Sequence, residues 1–395
     1  MRILIVHNYY SQAGGEDSVV ANEMALLRQA GHEVALLRFD NKAFGSPLRK
    51  LQMAATSIHN PWAQRRLSAA IAQFHPEVIH IHNLFYVASP AILNTARRLG
   101  VPVVMTLHNY RLLCINAQLL RNKKPCELCV HSTFPWAGLR HRCFGDSYFK
   151  SLQVGLITST HKLLGTWQQG VARYLCLTPF AQAKILDSSL QLRPEQVLLK
   201  PNFVEDRGTG LPEDRENFYL FVGRLSEEKG VETLLQAFAE LPYPLKIAGA
   251  GEGETQVKAF AEKYTHISYL GALPTEQIAA LLKKCRALIF PSIWYEGLPM
   301  TILEAFAAAT PVIASNMPNI RDIVRHGYNG LHFEAASAES LCREVRYFEE
   351  AQGELRMLYT QARQSYEAYY SPAKNLEMLE NIYKEVIKKV PAEQV

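Results

Sequence analysis

The chain has 395 residues, of which 48% are hydrophobic and 20% are charged, and its formal net charge is +5. This composition is ordinary for a globular protein, and the sequence has no low-complexity tract and no repeat of fixed period. The length exceeds the roughly 250–300 residues at which a single core stops growing. We therefore expect two globular domains. The apolar run in the N-terminal MRILIVHNYYSQ is too short for a signal peptide or a membrane span, so we expect a cytoplasmic protein.

Strand-like and helix-like segments alternate along the N-terminal half. RILIVHNYY predicts a buried strand, EDSVVANEMALLRQAG has the apolar spacing of a helix that ends at Gly31, and HEVALLRF predicts the next strand. PEVIHIHN and VPVVMTLHN are nearly continuous apolar strands, which are typical of a parallel sheet covered by helices on both faces. Residues 1–200 are therefore predicted to form a Rossmann-like, doubly wound α/β domain.

The alternation restarts after PNFVEDRGTGLPEDRENF, a segment rich in Pro, Gly and charge that suits a linker. YLFVGRL, PLKIAGAG, ISYLG, ALIFPS and PVIAS then predict five further strands. We expect a second Rossmann-like domain over residues 201–374, and a C-terminal helix over 375–395 that packs back on the first domain.

Candidate binding loops of the first domain follow its strands, because ligands of open parallel sheets bind beyond the carboxyl ends of the strands. Gly14 and Gly15 follow the first strand, where they provide either backbone N–H groups for a phosphate or a tight turn without a ligand. No G-x-G-x-x-G is present, which argues against a dinucleotide cofactor. His108 follows a buried strand and is either functional or a structural histidine.

Two cations stand between a strand and a helix in VGRLSEEKG, at Arg224 and Lys229. Cations oppose the dipole at a helix start and need a negative partner there. A bound diphosphate satisfies this need, and so does pairing with Glu227 and Glu228.

Two carboxylates flank a predicted helix start in SIWYEGLPMTILEAF, at Glu296 and Glu304. Pro299 suits the first turn of that helix, so N–H groups near Leu298 to Thr301 can hold a phosphate. The carboxylates can accept hydrogen bonds from hydroxyls on either side of it. This order of groups is that of a nucleotide sugar, whereas the alternative is two solvated carboxylates.

FVGRLSEEKGVETLLQAFA, FPSIWYEGLPMTILEAFAAATPVIAS and DIVRHGYNGLHF resemble the donor domain of family-four glycosyltransferases of GT-B fold, and Glu296 and Glu304 meet the Glu-x7-Glu spacing. GGED and HNYRLLC extend the resemblance over most of the chain. The resemblance implies two Rossmann-like domains facing across a cleft, a nucleotide-sugar donor and transfer with retention at the anomeric carbon. It also implies no metal or other cofactor in catalysis, and the sequence contains no Asp-x-Asp to hold a divalent ion.

The resemblance also implies roles for individual residues. Arg224 and Lys229 would bind the diphosphate, Glu296 would lie near the sugar hydroxyls and Glu304 near the ribose. We take His108, beside the donor sugar, as catalytic together with Arg224, Lys229 and Glu296. The other implied donor contacts are the turn of Gly14 and Gly15, the amides of Gly297 and Leu298, and Tyr269 and Leu270 near the base, in addition to Thr301.

Four of the seven cysteines fall within thirty residues, at Cys114, Cys126, Cys129 and Cys143. Their number and one C-x-x-C fit a tetrahedral structural zinc ion that would fasten an insertion near residues 110–145. A second C-x-x-C is missing, so reduced thiols and disulfides are alternatives.

Basic residues are concentrated between Arg97 and Arg173, where eleven stand against Glu127 and Asp146. They are Arg97, Arg98, Arg111, Arg121, Lys123, Lys124, Arg140, Arg142, Lys150, Lys162 and Arg173. Interleaved with Phe134, Trp136, Tyr148, Phe149 and Trp167, they suit the anionic cytoplasmic leaflet, at the inner face of the membrane, or an acceptor that carries a lipid pyrophosphate. An acceptor cleft or a solvated surface is the alternative, and nucleic acid is not expected because no recognition motif accompanies the charge.

The favoured interpretation is a retaining glycosyltransferase that moves a sugar from a UDP-sugar, preferred over a GDP-sugar, to a glycan or a polyprenyl-pyrophosphate-linked acceptor in polysaccharide or glycolipid biosynthesis. The alternatives are an inactive nucleotide-sugar-binding partner or sensor protein, and an epimerase or phosphorylase of the same fold.

Overall fold

The computed structural model of the protein describes residues 1–9, 15–41 and 56–389. The chain divides into two compact units. The first comprises Met1–Leu119, Cys126–Pro201 and Asn375–Val395, and the second comprises Leu120–Pro125 and Asn202–Lys374.

The described strands are β1 (Arg2–Tyr9), β2 (Glu33–Asp40), β3 (Val78–Asn83), β4 (Val103–Leu107), β5 (Leu120–Arg121), β6 (Lys124–Pro125), β7 (Arg173–Cys176), β8 (Val197–Leu199), β9 (Tyr219–Val222), β10 (Leu245–Ala248), β11 (Ile267–Gly271), β12 (Leu288–Phe290), β13 (Val312–Ser315) and β14 (Gly330–Phe333). The first unit holds a six-stranded sheet in the order β2-β1-β3-β4-β7-β8, and the second holds one in the order β11-β10-β9-β12-β13-β14. The strands of both sheets pair in parallel, which confirms the predicted α/β class.

The described α-helices are α1 (Gly15–Gln29), α2 (Pro61–Phe74), α3 (Ile92–Arg98), α4 (Trp136–Arg140), α5 (Tyr148–Leu163), α6 (Thr166–Gly170), α7 (Pro179–Leu186), α8 (Val231–Glu240), α9 (Glu254–Lys263), α10 (Thr275–Lys284), α11 (Met300–Ala307), α12 (Pro318–Arg321), α13 (Ala338–Glu350), α14 (Gln352–Leu355), α15 (Met357–Tyr369) and α16 (Pro372–Lys388). The predicted stop after α1 is confirmed, because Gly31 has a φ of 82° and its N–H donates to the carbonyl of Arg28 at 3.0 Å. A left-handed residue that closes a helix in this way is usually glycine.

Strands β3 and β4 are buried along their whole length, as their apolar sequences predict. Alternate residues of a strand point to opposite faces, so His80 and His82 share one face of β3 while Ile79 and Ile81 occupy the other. The buried histidines therefore need partners from neighbouring elements, since an unpaired polar group in a core is costly.

The C-terminal helix α16 packs against the core of the first unit. Leu379, Ile382, Tyr383 and Val386 belong to the hydrophobic cluster that also contains residues of β1, β3, β4 and β7. At its exposed edge, Glu385 pairs with Arg173 at 2.6 Å. Helix α16 thus completes the core of the first unit.

Candidate active site

The loop after β9 places Arg224 and Lys229 in different surroundings. The guanidinium of Arg224 lies 3.0 Å from Glu228 Oε1, and its side chain is 57% exposed. Lys229 pairs instead with Glu296, with 2.5 Å between Nζ and Oε1. The predicted alternative of pairing within the loop therefore holds for Arg224 and not for Lys229.

The Glu296 carboxylate is buried and held by three donors that converge on Oε1. Besides Lys229, the Ser292 hydroxyl and the Trp294 indole N–H each donate to it at 2.9 Å. The Asn319 amide donates to the backbone carbonyl of Glu296, also at 2.9 Å. The alternative of a solvated carboxylate is therefore wrong for Glu296, whose orientation is fixed by these donors.

Helix α11 begins at Met300, so Pro299 is its N-cap residue rather than part of its first turn. Leu298 is buried, and Thr301 and Glu304 are half-buried. Burial raises the pKa of Glu304 to about 7, although Arg207 opposes this shift. Glu304 is therefore close to half-protonated at neutral pH.

Tyr269 and Leu270 lie on β11, the edge strand of the second sheet, and both are half-buried. The Tyr269 hydroxyl donates to the carbonyl of Gly249 at 3.0 Å. Gly249 has a φ of 147°, and a Cβ there would lie 1.8 Å from the carbonyl oxygen of Gly223. The glycine is thus required for packing the loop after β10 against the loop after β9.

In the first unit, the first turn of α1 meets the carboxyl end of β1. Gly14 lies outside the described residues, and Gly15 is the first residue of the helix. The ring of His7 contacts Asp17, with 2.8 Å between Nε2 and Oδ1. Burial, with a contribution from Asp17, raises the pKa of Glu16 to about 8. Glu16 is therefore mainly protonated at neutral pH and adds little negative charge where a phosphate is predicted.

His108 follows β4 and stacks on His82, with ring centroids 5.2 Å apart and 2.9 Å between His108 Nε2 and His82 Nδ1. His82 Nε2 lies 3.2 Å from Oε1 of Glu23, a residue of α1. The other oxygen of Glu23 lies 2.6 Å from Lys200 Nζ. Of these four residues only His108 was predicted from the sequence, because the others come from separate elements with no motif between them.

Burial sets the protonation of this cluster. Burial by itself would raise the pKa of Glu23, but Lys200, His80 and His82 hold it well below its usual value. Burial also lowers the pKa of His82 to about 3, with a contribution from His80. The pKa of His108 is lowered as well, by burial and by His82. Glu23 is therefore ionised, and His82 and His108 are neutral.

All seven cysteines lie within the described residues, and none forms a disulfide. The pKa of the Cys129 thiol is raised to about 11 by burial, with smaller contributions from Cys114, Cys143 and Cys126. Two sets of described residues bring three potential ligand atoms within 4.8 Å of one another, namely Glu23 with His80 and His82, and His7 with Glu16 and Asp17. The four cysteines do not form such a set, so the predicted zinc site would require their sulfur atoms to move closer together.

The aromatic residues near the basic cluster divide into two groups. Trp167 is fully buried, and its indole N–H donates to the carbonyl of Thr158 at 3.3 Å, so the prediction that it meets a membrane is wrong. Trp136, Tyr148 and Phe149 are 70%, 59% and 62% exposed. Among the described residues, none of the helices combines the length and apolar character needed to cross a bilayer.

Two doubly wound parallel units, with charged loops at their carboxyl edges, place the protein among two-domain α/β proteins. The family model of the glycosyl transferase 4-like domain matches residues 14–202, and that of glycosyl transferases group 1 matches residues 203–365. The chain belongs to the family-four glycosyltransferases of GT-B fold.

Individual relatives match over shorter stretches. An uncharacterised glycosyltransferase of Methanocaldococcus jannaschii is 34% identical over 131 residues, which are 33% of this chain and 37% of that protein. The O-antigen chain mannosyltransferase B of Escherichia coli is 33% identical over 119 residues, 28% of this chain and 31% of that protein. These matches span about a third of the relatives' length. In fold, the chain is similar to Anabaena HepE in complex with UDP, with a TM-score of 0.68 and 15% identity over 97% of this chain and all of that one.

Proposed function

We propose that this protein transfers a glycosyl group from a nucleotide sugar to a glycan or lipid-linked acceptor in polysaccharide or glycolipid biosynthesis. The observation that carries the proposal is the buried Glu296 carboxylate, which Lys229, Ser292 and Trp294 hold at one oxygen. A buried carboxylate held by three hydrogen-bond donors is suited to orient a polar ligand, because these donors and not solvent fix its position. It lies just before α11, whose N-terminal N–H groups favour an anion.

In this proposal each residue acts on one part of the donor. Arg224, Lys229 and the N–H groups at the start of α11 stabilise the charge that develops on the leaving diphosphate. Glu296 orients the sugar hydroxyls, and Glu304 accepts hydrogen bonds from the ribose. The remaining donor contacts are Gly14, Gly15, Gly297, Leu298, Thr301, Tyr269 and Leu270.

The proposed reaction proceeds on one face of the sugar. The bond between the anomeric carbon and the diphosphate oxygen breaks, the acceptor oxygen bonds to the same face, and the leaving oxygen takes the acceptor proton. The configuration is thereby retained with no covalent intermediate and no metal ion. An inverted product, a trapped glycosyl-enzyme adduct, or loss of turnover in EDTA that magnesium restores would each contradict this mechanism.

UDP is the proposed nucleotide, and GDP is the alternative. The likeness in fold to a protein solved with UDP supports UDP, whereas the sequence likeness to a mannosyltransferase leaves the sugar open. Calorimetric titration with UDP, GDP, ADP and NAD, in EDTA and then in magnesium, tests the donor class. Selective binding of one nucleoside diphosphate in EDTA is expected, and binding of none or of NAD alone would contradict the proposal.

Two substitutions separate the roles of the paired carboxylates. Glu296→Gln is expected to lower turnover with the intact donor while UDP still binds, because the carboxylate contacts the sugar. Glu304→Ala is expected to weaken UDP binding itself, because this side chain contacts the ribose. Steady-state kinetics and calorimetry distinguish the two effects, and unchanged values for both variants would overturn the site assignment.

Two assays discriminate between the proposed function and its alternatives. An epimerase would convert the donor sugar without an acceptor, and a phosphorylase would require phosphate. A sensor or partner protein would bind the nucleotide sugar without turnover in the presence of any membrane or glycan fraction.

We also propose that the first unit binds an anionic membrane surface. The solvent-facing side of α5 is apolar, since Tyr148, Phe149, Leu152 and Leu156 are all exposed at helical spacing. Arg140, Arg142 and Lys150 are exposed close to them in the sequence. Apolar side chains flanked by cations fit the interface of a bilayer that contains anionic lipids.

Cosedimentation with vesicles tests this surface. Wild-type protein is expected to bind vesicles that contain phosphatidylglycerol and not pure phosphatidylcholine, and Phe149→Glu with Leu152→Glu is expected to abolish binding. Leu211→Glu is the matched control, because Leu211 is 53% exposed in the second unit. If the protein self-associates and does not bind either kind of vesicle, the proposal is contradicted, and the apolar side of α5 is then the contact surface for a second copy.

We further propose that Cys114, Cys126, Cys129 and Cys143 bind a structural zinc ion. Four thiols without disulfides on one insertion support this proposal, and their spacing demands that the sulfur atoms close around the ion.

A further inference from the structure

A chain of buried polar groups leads from the core of the first unit to His108. Lys200 and Glu23 are completely buried, and His82 is 3% exposed. Lys200 Nζ lies 2.6 Å from Glu23 Oε2, Glu23 Oε1 lies 3.2 Å from His82 Nε2, and His82 Nδ1 lies 2.9 Å from His108 Nε2. Burying ions costs free energy even when they are paired, so stabilisation of the fold alone is a weak explanation for this series of buried groups.

The hydrogen on His82 can be assigned from these distances. Glu23 is ionised because it pairs with Lys200, and an ionised carboxylate only accepts hydrogen bonds. Within the described residues, neither His82 Nε2 nor Glu23 Oε1 has a well-aligned hydrogen-bond partner, and the two buried atoms face each other at 3.2 Å. A bare nitrogen would set two lone pairs against each other in a buried site, so Nε2 carries the hydrogen.

The assignment extends to His108. Neutral His82 with a hydrogen on Nε2 has a bare Nδ1, which can only accept. At 2.9 Å, His108 Nε2 must therefore supply the hydrogen, and the Nδ1 of neutral His108 is left bare. His108 directly follows β4 and is half-buried, whereas the other three residues are buried.

We propose that Lys200, Glu23 and His82 are positioning residues that fix His108 in the tautomer with a bare Nδ1, which accepts the hydrogen of a substrate hydroxyl. The inference rests on the proposed function for its substrate, and the tautomer itself does not depend on it. The reversed tautomer would present an N–H group to the same hydroxyl and lose this acceptor, as happens when a catalytic histidine loses its orienting carboxylate.

His80 is a branch of this chain rather than a link in it. Its Nδ1 lies 2.9 Å from Glu23 Oε1 and 2.7 Å from the Tyr383 hydroxyl, and its Nε2 lies 2.8 Å from Thr106 Oγ1. Both ring nitrogens therefore have partners inside the core, and neither leads toward His108.

A metal ion between Glu23, His80 and His82 is the competing explanation, since their ligand atoms lie within 4.8 Å of one another. Lys200 already balances the charge of Glu23, so a divalent ion would add two positive charges to a fully buried site. Charge balance favours the hydrogen-bonded chain.

The first measurement is the tautomer of His108 in the wild-type protein, by NMR of ¹⁵N-labelled histidine without substrate. His108→Gln identifies the signals. The expected result is a hydrogen on Nε2 and a bare Nδ1 at neutral pH. A hydrogen on Nδ1, alone or together with Nε2, overturns the proposal whether or not any variant folds.

The second measurement uses Glu23→Gln, which keeps the shape of the side chain. Lys200 will attract the amide oxygen of Gln, so the NH₂ group turns to His82 Nε2 and reverses the hydrogen bonds along the chain. His108 is then expected to carry its hydrogen on Nδ1. We expect kcat to fall by about tenfold or more, as for one lost hydrogen bond to the substrate, while UDP affinity stays within about twofold.

His161→Gln is the matched control. This buried histidine of the first unit also has a partner at each ring nitrogen. Its Nδ1 lies 3.0 Å from Thr166 Oγ1 and its Nε2 lies 2.8 Å from the carbonyl oxygen of Ile58, and it is not part of the series of groups from Lys200 to His108. The His161→Gln variant is expected to have a lower melting temperature, with the His108 tautomer and kcat unchanged.

The outcomes are separable. The positioning role is overturned if the His108 tautomer is the same in Glu23→Gln as in the wild-type protein. It is also overturned if kcat and UDP affinity fall together, in proportion to the loss of melting temperature. Stoichiometric zinc or iron that this variant loses would assign the cluster to a metal. The expected tautomer in a protein that binds no nucleotide would overturn the proposed function and leave the hydrogen-bonded chain intact.

Discussion

The raised pKa of Glu304 makes nucleotide binding depend on pH in a predictable direction. With a pKa of about 7, the side chain is roughly one-tenth ionised at pH 6 and nine-tenths ionised at pH 8. If only the carboxylate accepts both ribose hydrogen bonds, UDP should bind about tenfold more tightly at pH 8, which corresponds to about 1.4 kcal/mol. Calorimetry from pH 5.5 to 8.5 measures this change.

Glu304→Gln is the control, because the β-phosphate of UDP also titrates in this range and affects both proteins equally. The variant should lose the part of the pH dependence that belongs to Glu304. Folding stability should respond in the opposite sense. A carboxyl group whose pKa is raised by folding destabilises the folded state as it ionises, so stability falls as pH rises from about 4.5 to about 7. Identical pH profiles for UDP binding to the two proteins would refute this reasoning.

Three further outcomes are expected. Lys229→Met should lower the free energy of unfolding by about 3 kcal/mol because it leaves the buried Glu296 charge without its cation, whereas Arg224→Met at an exposed pair should change it by less than about 1 kcal/mol. Urea titration measures both, and equal effects would contradict the burial argument. Leu379→Ala should cost about 2–5 kcal/mol, because this α16 side chain is completely buried, and a loss below about 1 kcal/mol would contradict its packing in the core. Purified protein should contain about one zinc ion per chain by mass spectrometry, and Cys126→Ser with Cys129→Ser should lose it whereas Cys176→Ser, at a buried thiol of β7, should not. Wild-type protein without zinc would contradict the metal site.

The sequence predicted the parallel sheets and the end of α1 because both depend on local patterns. Continuous apolar strands need cover on both faces, and a left-handed residue after a helix is usually glycine. The sequence also pointed to the loops that hold Arg224, Glu296 and His108, since each of these loops follows a predicted strand. What those side chains contact could not be read in the same way.

The contacts depend on which strands become neighbours in the folded sheets. Lys229 and Glu296 are 67 positions apart, and Lys200 and Glu23 are 177 apart, so no window of sequence contains either pair. Trp167 lies among basic and aromatic residues in the sequence and yet belongs to the core. Sequence periodicity determined the elements and their buried faces, because it reports one chain segment at a time. The tertiary structure alone decided which charges are neutralised, which carboxyl groups hold a proton and which nitrogen of His108 is left bare, because these follow from burial and from partners brought by distant elements.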